Sequence, residues 1–301
     1  MGGSLGLANL ACNDVPMTMS TTLLLGLIAG ATILIGIPVG RMRRPAPGLR
    51  VFLNATAVGV LLFLFWDMLA AAWEPIDAAL GAVHDGDGTL APVFGYGLLF
   101  AGGLTIGLLG LVAYDRYSMH RAPRTAGPGA MAAGELAHRS ATLSPAHRLS
   151  MMIAVGIGLH NFAEGLAIGQ AAVSGAIALA TVLVIGFALH NATEGFGIVA
   201  PLAADKDLHG VDSRPSWGFL LAMAAIGGAP TFIGTAVGYS FTSEPLSVAF
   251  LTVAAGSIVF VIAQLLGVAA RAKRVDLVGC GLLLGLLAGF ITDAVVTAGG
   301  A

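Results

Sequence analysis

Apolar residues in this chain fall into runs of about 20, broken by short polar connections, instead of the one-faced or alternating patterns of water-soluble elements. A helix rising about 1.5 Å per residue needs roughly 20 mostly apolar residues to cross the hydrocarbon of a bilayer. On that rule the pattern predicts eight transmembrane helices, at about 20–39, 51–73, 92–114, 149–171, 176–200, 217–240, 246–270 and 275–298. The period-two alternation of a membrane β-barrel is absent. The fold class expected is therefore all-α integral membrane protein, with residues 1–301 forming a single membrane domain. Residues 1–19 carry no Lys or Arg, so neither a signal peptide nor a lipoprotein site at LANLAC is expected.

The connections differ sharply in charge. All 14 Lys and Arg residues lie between the first and second, third and fourth, fifth and sixth, or seventh and eighth spans. The opposite side has none and is acidic at Glu74, Asp77, Asp85, Asp87 and Glu244. Cytoplasmic connections are the ones that collect Lys and Arg, so both termini are expected outside. The one long connection, 115–148, has no apolar period and reads as a cytoplasmic linker. Its histidines, His120, His138 and His147, read as scattered solvated residues, with a metal-handling role as the alternative.

Composition agrees and narrows the class. Hydrophobic residues make up 57% and charged ones 10%, against about 25% charged in soluble domains. Two cysteines, Cys12 and Cys280, are too few for a disulfide scaffold. A net charge of −2 leaves no basic surface, and no nucleic-acid partner is expected. Arg in excess of Lys, with abundant Ala and Gly, suits a GC-rich bacterium and places the chain in a bacterial cytoplasmic (inner) membrane.

Chemistry enters with residues that do not belong in hydrocarbon. The fourth span reads GLHNFAEGLAIG and the fifth ALHNATEGFGIV. Each carries His-Asn-x-x-Glu-Gly: His160, Asn161, Glu164 and Gly165, then His190, Asn191, Glu194 and Gly195. A charged side chain at the bilayer centre costs roughly 2.5–3.5 kcal/mol on insertion scales, so a repeated pair requires a purpose. His and Glu at i and i+4 share one helix face. The short connection makes the two spans an antiparallel hairpin, in which a small slide sets each His level with the other's Glu. Two imidazoles and two carboxylates then converge, a mixed N/O set suited to zinc and its divalent first-row neighbours. Glycines along both spans allow close helix approach. A lone histidine would read as an interhelical hydrogen bond; two buried carboxylates with no Lys or Arg in any span need a metal or protons.

Other intramembrane polar residues stand one per helix: Asp67, Gln264 and Asp293. Asp67 reads equally as an entry ligand or proton-path residue and as a hydrogen-bonded boundary residue; Asp293 reads as solvated. Trp66 and Trp73 fit an interfacial aromatic belt.

With these motifs the chain resembles the ZIP (Zrt/Irt-like) family of divalent-metal transporters, bacterial type. HNFAEG matches five of six positions of the family's HNFPEG-like motif, and HNATEG keeps the His, Asn, Glu and Gly. GGAPTFIGTAVGY at 227–239 is similar to the family's sixth-span segment. The resemblance implies a ZIP-like eight-helix bundle with both termini outside. It implies that His160, Glu164, His190 and Glu194 ligate the transported ion, with Asn161 and Asn191 beside it. Three departures stand out. The motif proline is Ala163 in the fourth span and Thr193 in the fifth; the sixth-span Glu position holds Thr231; and the nearest match to a seventh-span Glu is Gln264. The loss of carboxylates predicts one bound ion, not two.

The leading reading is a carrier that moves Zn²⁺ into the cytoplasm by alternating access, with Fe²⁺, Mn²⁺ and Cd²⁺ as other substrates. The metal is cargo, and no resident cofactor is expected. The partners are the ion and the lipid bilayer, with a homodimer as an open alternative. A membrane metalloenzyme, hydrolase or oxidase, is the second reading, but HExxH, Ser-His-Asp and CxxC constellations are absent. A bis-histidine haem site at His160 and His190 ranks last, because two carboxylates would sit beside it.

Overall fold

A computed structural model describes residues 17–41, 47–120, 144–175, 177–204, 215–241 and 243–298. These residues are helical apart from turns and caps, and eight helices are long and apolar enough to cross a membrane. The first span, Met19–Arg41, begins with α1 (Met19–Ala31); the others lie in α2 (Pro47–His84), α3 (Leu90–His120), α4 (Pro145–Val173), α5 (Ile177–Val199), α6 (Trp217–Ser240), α7 (Glu244–Ala270) and α8 (Val275–Ala298).

Local chemistry sets the ends. Ser144 and Ser216 cap α4 and α6 by accepting from the backbone N–H of His147 (3.2 Å) and Phe219 (3.1 Å). Pro145 and Pro245 occupy first turns, where their missing N–H costs nothing. The turn from α4 to α5 passes through Gly175 at φ +82°, a conformation that favours glycine. The first span is broken: Thr32 turns its hydroxyl back onto the Ala29 carbonyl (2.6 Å). The path then continues through a short helix, Ile33–Gly36, and a 3₁₀ segment, Ile37–Arg41.

Two helices outrun their apolar stretches. The 38 residues of α2 extend about 57 Å and continue past residue 73 through Glu74 and Asp77 to His84. Helix α3 runs on to His120 and α4 starts at Pro145, so the ends of the expected 115–148 linker are helical. Residues 121–143, with His138, lie outside the described residues.

Glycines sort the helices into two sets. A Cβ on Gly36 would strike the α5 backbone at Gly195, and one on Gly30 the α6 backbone at Gly228. Gly165 and Gly169 of α4 lie against the α6 backbone at Thr231 and Thr235, and Gly234 and Gly238 of α6 return the contact at Phe162 and Leu166. These approaches bind α1, α4, α5 and α6. In the other set Gly59 and Gly285 join α2 to α8, and Gly107 and Gly256 join α3 to α7. Asn54 of α2 donates to the Leu265 carbonyl of α7 (2.9 Å) and ties these pairs together. Every glycine whose Cβ would collide with a neighbouring helix's backbone does so inside one set. Between the sets, glycines meet side chains instead: Gly156 faces Val261, and Gly197 faces Leu265 and Ala57.

The pairing is unchanged when α1, α2, α3 and α4 are exchanged for α6, α7, α8 and α5. That is the mark of an internal repeat, and repeats offset by five spans run in opposite directions. A common core of Ile33, Val58, Leu61, Ile157, Ile198 and Leu265 fills the space between the sets. The outer helices α3 and α8 leave Leu98, Ile106, Leu287 and Ile291 exposed.

Candidate metal centre

The two motif helices lie side by side in the first set, held at the depth of the motifs by the glycine contacts. His160, Glu164, His190 and Glu194 come together as two level pairs. His160 Nε2 lies 2.8 Å from Glu194 Oε1, and His190 Nε2 is hydrogen-bonded to Glu164 Oε1. A third contact, His160 Nε2 to Glu164 Oε1 at 3.4 Å, links the pairs. The imidazole centroids are 6.0 Å apart.

Donor atoms of His160, His190 and Glu194 all lie within 4.8 Å of one another. Zinc bonds of about 2.0–2.2 Å put tetrahedral donors roughly 3.4 Å apart, so a modest contraction would close the set on one ion. The surroundings are dry: His160 is 0% exposed and Glu194 1%, while His190, at 9%, is the most open of the four.

Several buried polar atoms here have no hydrogen-bond partner: both nitrogens of His160, both oxygens of Glu194 and Oε2 of Glu164. The 2.8 Å His160–Glu194 contact has ion-pair distance without hydrogen-bond alignment. Stranding such groups costs about 1–3 kcal/mol each, more when charged. A dication would take up these lone pairs and neutralise both carboxylates.

The flanking amides behave alike. Asn161 donates to the Gly227 carbonyl of α6 (2.9 Å), and Asn191 to the Ala29 carbonyl of α1 (3.1 Å). Each keeps a buried, unpartnered Oδ1. Thr231 is fully buried between Gly30 of α1 and Gly165 of α4, and its hydroxyl is likewise unpartnered. In place of the motif proline, Thr193 turns its hydroxyl onto the His190 carbonyl (2.7 Å).

The remaining candidates are farther out. Asp67 is exposed on α2, yet within electrostatic reach of Glu164, His190 and Asp293. Gln264 is half-buried on α7. His147 sits in the first turn of α4, its Nδ1 2.8 Å from Ser144 Oγ, and is remote in sequence from both motifs. His120 ends α3. Sequence reasoning missed Asn54, buried with an unpartnered Oδ1; Asp293, read as solvated, is exposed on α8. A single amide in an apolar span was the available signal for Asn54.

Eight membrane-crossing helices around a buried His/Glu cluster define a multi-pass membrane protein with a metal-type site. Over 152 residues the chain is 32% identical to the zinc transporter ZupT of Shigella flexneri, and equally to those of Enterobacter sp. (strain 638) and Escherichia coli O1:K1 / APEC. The match covers 50% of this chain and 49% of each relative, so the chain spans about half the length of the curated relatives it matches. No protein-family model matches the chain. The likeness to ZupT supports the ZIP-family resemblance drawn from the motifs.

Proposed function

We propose that the chain carries Zn²⁺ across the bacterial inner membrane into the cytoplasm, binding the dehydrated ion with His160, Glu164, His190 and Glu194. The observation that carries this reading is the pair of buried His–Glu contacts with lone pairs left over. The similarity to ZupT, named a zinc transporter and not an enzyme, favours transport over metalloenzyme chemistry. Fe²⁺, Mn²⁺ and Cd²⁺ suit the same donors and are further substrates of this reading. Asn161 and Asn191 orient the motif helices, Thr231 and Gln264 line the path, and Asp67 receives the ion on the outer side. The bilayer is the working environment, and assembly as a homodimer is compatible with the exposed apolar faces.

The two helix sets support alternating access as the mechanism of this reading. Close backbone-to-backbone glycine contacts make each set a unit, whereas the packing between them is mostly by side chains. The set carrying the motifs moves against the other and turns the ion from outside to inside. The basic connections put both termini outside, and an inside-negative potential of 100 mV favours entry by roughly 2.3 kcal/mol per charge.

Uptake into proteoliposomes loaded with a zinc-sensitive dye, challenged with each of the four metals, tests the function. Saturable Zn²⁺ entry is expected. Hydrolytic or oxidative turnover without metal flux would favour the enzyme.

A further inference from the structure

Sliding one helix set past the other requires that each polar contact across the boundary can be broken without stranding a buried group. Within the motif-bearing set the links have no such freedom: the Asn161 and Asn191 amides donate to carbonyls in fully buried surroundings. The Ser257–Gly156 and Gln170–Ser247 hydrogen bonds, which cross the boundary, differ in kind.

Ser257 of α7 donates to the Gly156 carbonyl of α4 at 3.0 Å, but the same hydroxyl also reaches its own helix at the Ala254 carbonyl, 2.7 Å away. It keeps a partner wherever α4 goes. At the acidic end of the same seam, Gln170 of α4 donates from Nε2 to Ser247 Oγ of α7 at 3.1 Å. Both residues are only half-buried, so water can replace the bond when it opens. The rest of the seam is side chain on side chain, as in the tilted Phe162–Phe250 contact with centroids 5.0 Å apart.

We infer that the Gln170–Ser247 hydrogen bond is a state-specific latch between the two helix sets: closed in the conformation described, open after the motif helices have moved. It rests on the alternating-access reading above. A bond made in one state and absent in the other biases the equilibrium by its net strength, and differential interaction is the only means by which such an equilibrium shifts.

The test uses the full chain in proteoliposomes, in a Cys12→Ser, Cys280→Ser background. Cysteines placed by Gln170→Cys and Ser247→Cys are joined with a short bifunctional methanethiosulfonate. The joined protein should lose Zn²⁺ uptake and recover it on reduction, while each single-cysteine variant treated alike keeps it. Uptake that continues at the unlinked rate, or a pair that never joins, would overturn the latch. Independently, Gln170→Leu, Ser247→Ala and the double variant should each raise the initial uptake rate by the same factor, about two- to tenfold, because all three remove one net hydrogen bond. Unchanged or multiplying effects would count against it. Absence of Zn²⁺ flux in the unlinked background itself would instead refute the transport reading, so the two failures are distinguishable.

Discussion

Glu164 and Glu194 are buried as a pair, and no predicted span carries Lys or Arg, so their charge must be balanced by imidazolium or by a bound cation. Removing either carboxylate leaves its histidine partner without the acid and the ion without half its neutralising charge. Glu164→Gln and Glu194→Gln, near-isosteric changes, should each reduce Zn²⁺ uptake more than tenfold while the protein still inserts. His120→Ala and His138→Ala should leave uptake near normal. Uptake normalised to membrane protein level decides this, and a fully active Glu194→Gln variant would remove the site from consideration. The same charge count limits occupancy. Two carboxylates balance one dication, and the positions that could hold a second, Asn161, Asn191 and Thr231, are neutral. One zinc per chain is expected by elemental analysis of the saturated protein, rising toward two in Thr231→Glu. Two in the unaltered protein would show that neutral oxygens suffice. These residues were legible in the sequence because polar groups stand out in apolar runs and the motif occurs twice. Asn54 was not, since a single amide in a span is ordinarily a helix–helix hydrogen bond and only its unpartnered Oδ1 marks it as unusual.

At the scale of helices, close packing depends on glycines that meet backbone, and the sequence does not say which of the 43 glycines those are. Gly165 and Gly234 sit in the α4–α6 contact, where any side chain would strike a carbonyl. Helix backbones cannot give way as a flexible side chain can, so Gly165→Val and Gly234→Val should cost at least about 1–3 kcal/mol, the usual range for overpacking. Gly102 and Gly110 of α3 face open space. Gly102→Ala and Gly110→Ala should be neutral or slightly stabilising, through better helix propensity. Thermal unfolding in detergent separates the groups: a fall of several degrees for the first pair and little change for the second. Equal falls in both would refute the assignment of contacts. The existence of eight spans could be read from hydropathy alone, but their ends could not. Apolar runs report what faces lipid or core, whereas a helix is held by backbone hydrogen bonds that continue through Glu74 and Asp77 to His84. The break in the first span was hidden for the converse reason: Thr32 is one modest polar residue in an apolar run, and its effect arises from a bond to Ala29.

For the molecule as a whole, orientation decides what the site accomplishes. The 14 Lys and Arg residues cluster on one side of the predicted topology, and the proposed orientation puts that side in the cytoplasm. The paired contacts of the motifs then fall in order across the membrane. On the proposed orientation α4 would run outward, with Glu164 and its partner His190 on the outer side of the cluster and His160 with Glu194 on the inner. The exposure of His190, the most open of the four, agrees with that order. An ion arriving from outside would meet Asp67, then the outer pair, then the inner pair, moving down the membrane potential throughout. A cysteine introduced by Asp87→Cys, in the acidic turn, should therefore react with an impermeant maleimide on intact cells. One introduced by Pro128→Cys, in the basic connection between α3 and α4, should react only after permeabilisation. The labelling is read in the Cys12→Ser, Cys280→Ser background, so that only the introduced thiol reports. The reverse pattern would turn the sequence of contacts around: the pair nearest Asp67 would face the cytoplasm, and the same potential would oppose exit by roughly 2.3 kcal/mol per charge per 100 mV. The potential favours cation entry whichever way the carrier is inserted, so the labelling result decides which His–Glu pair an entering ion meets first.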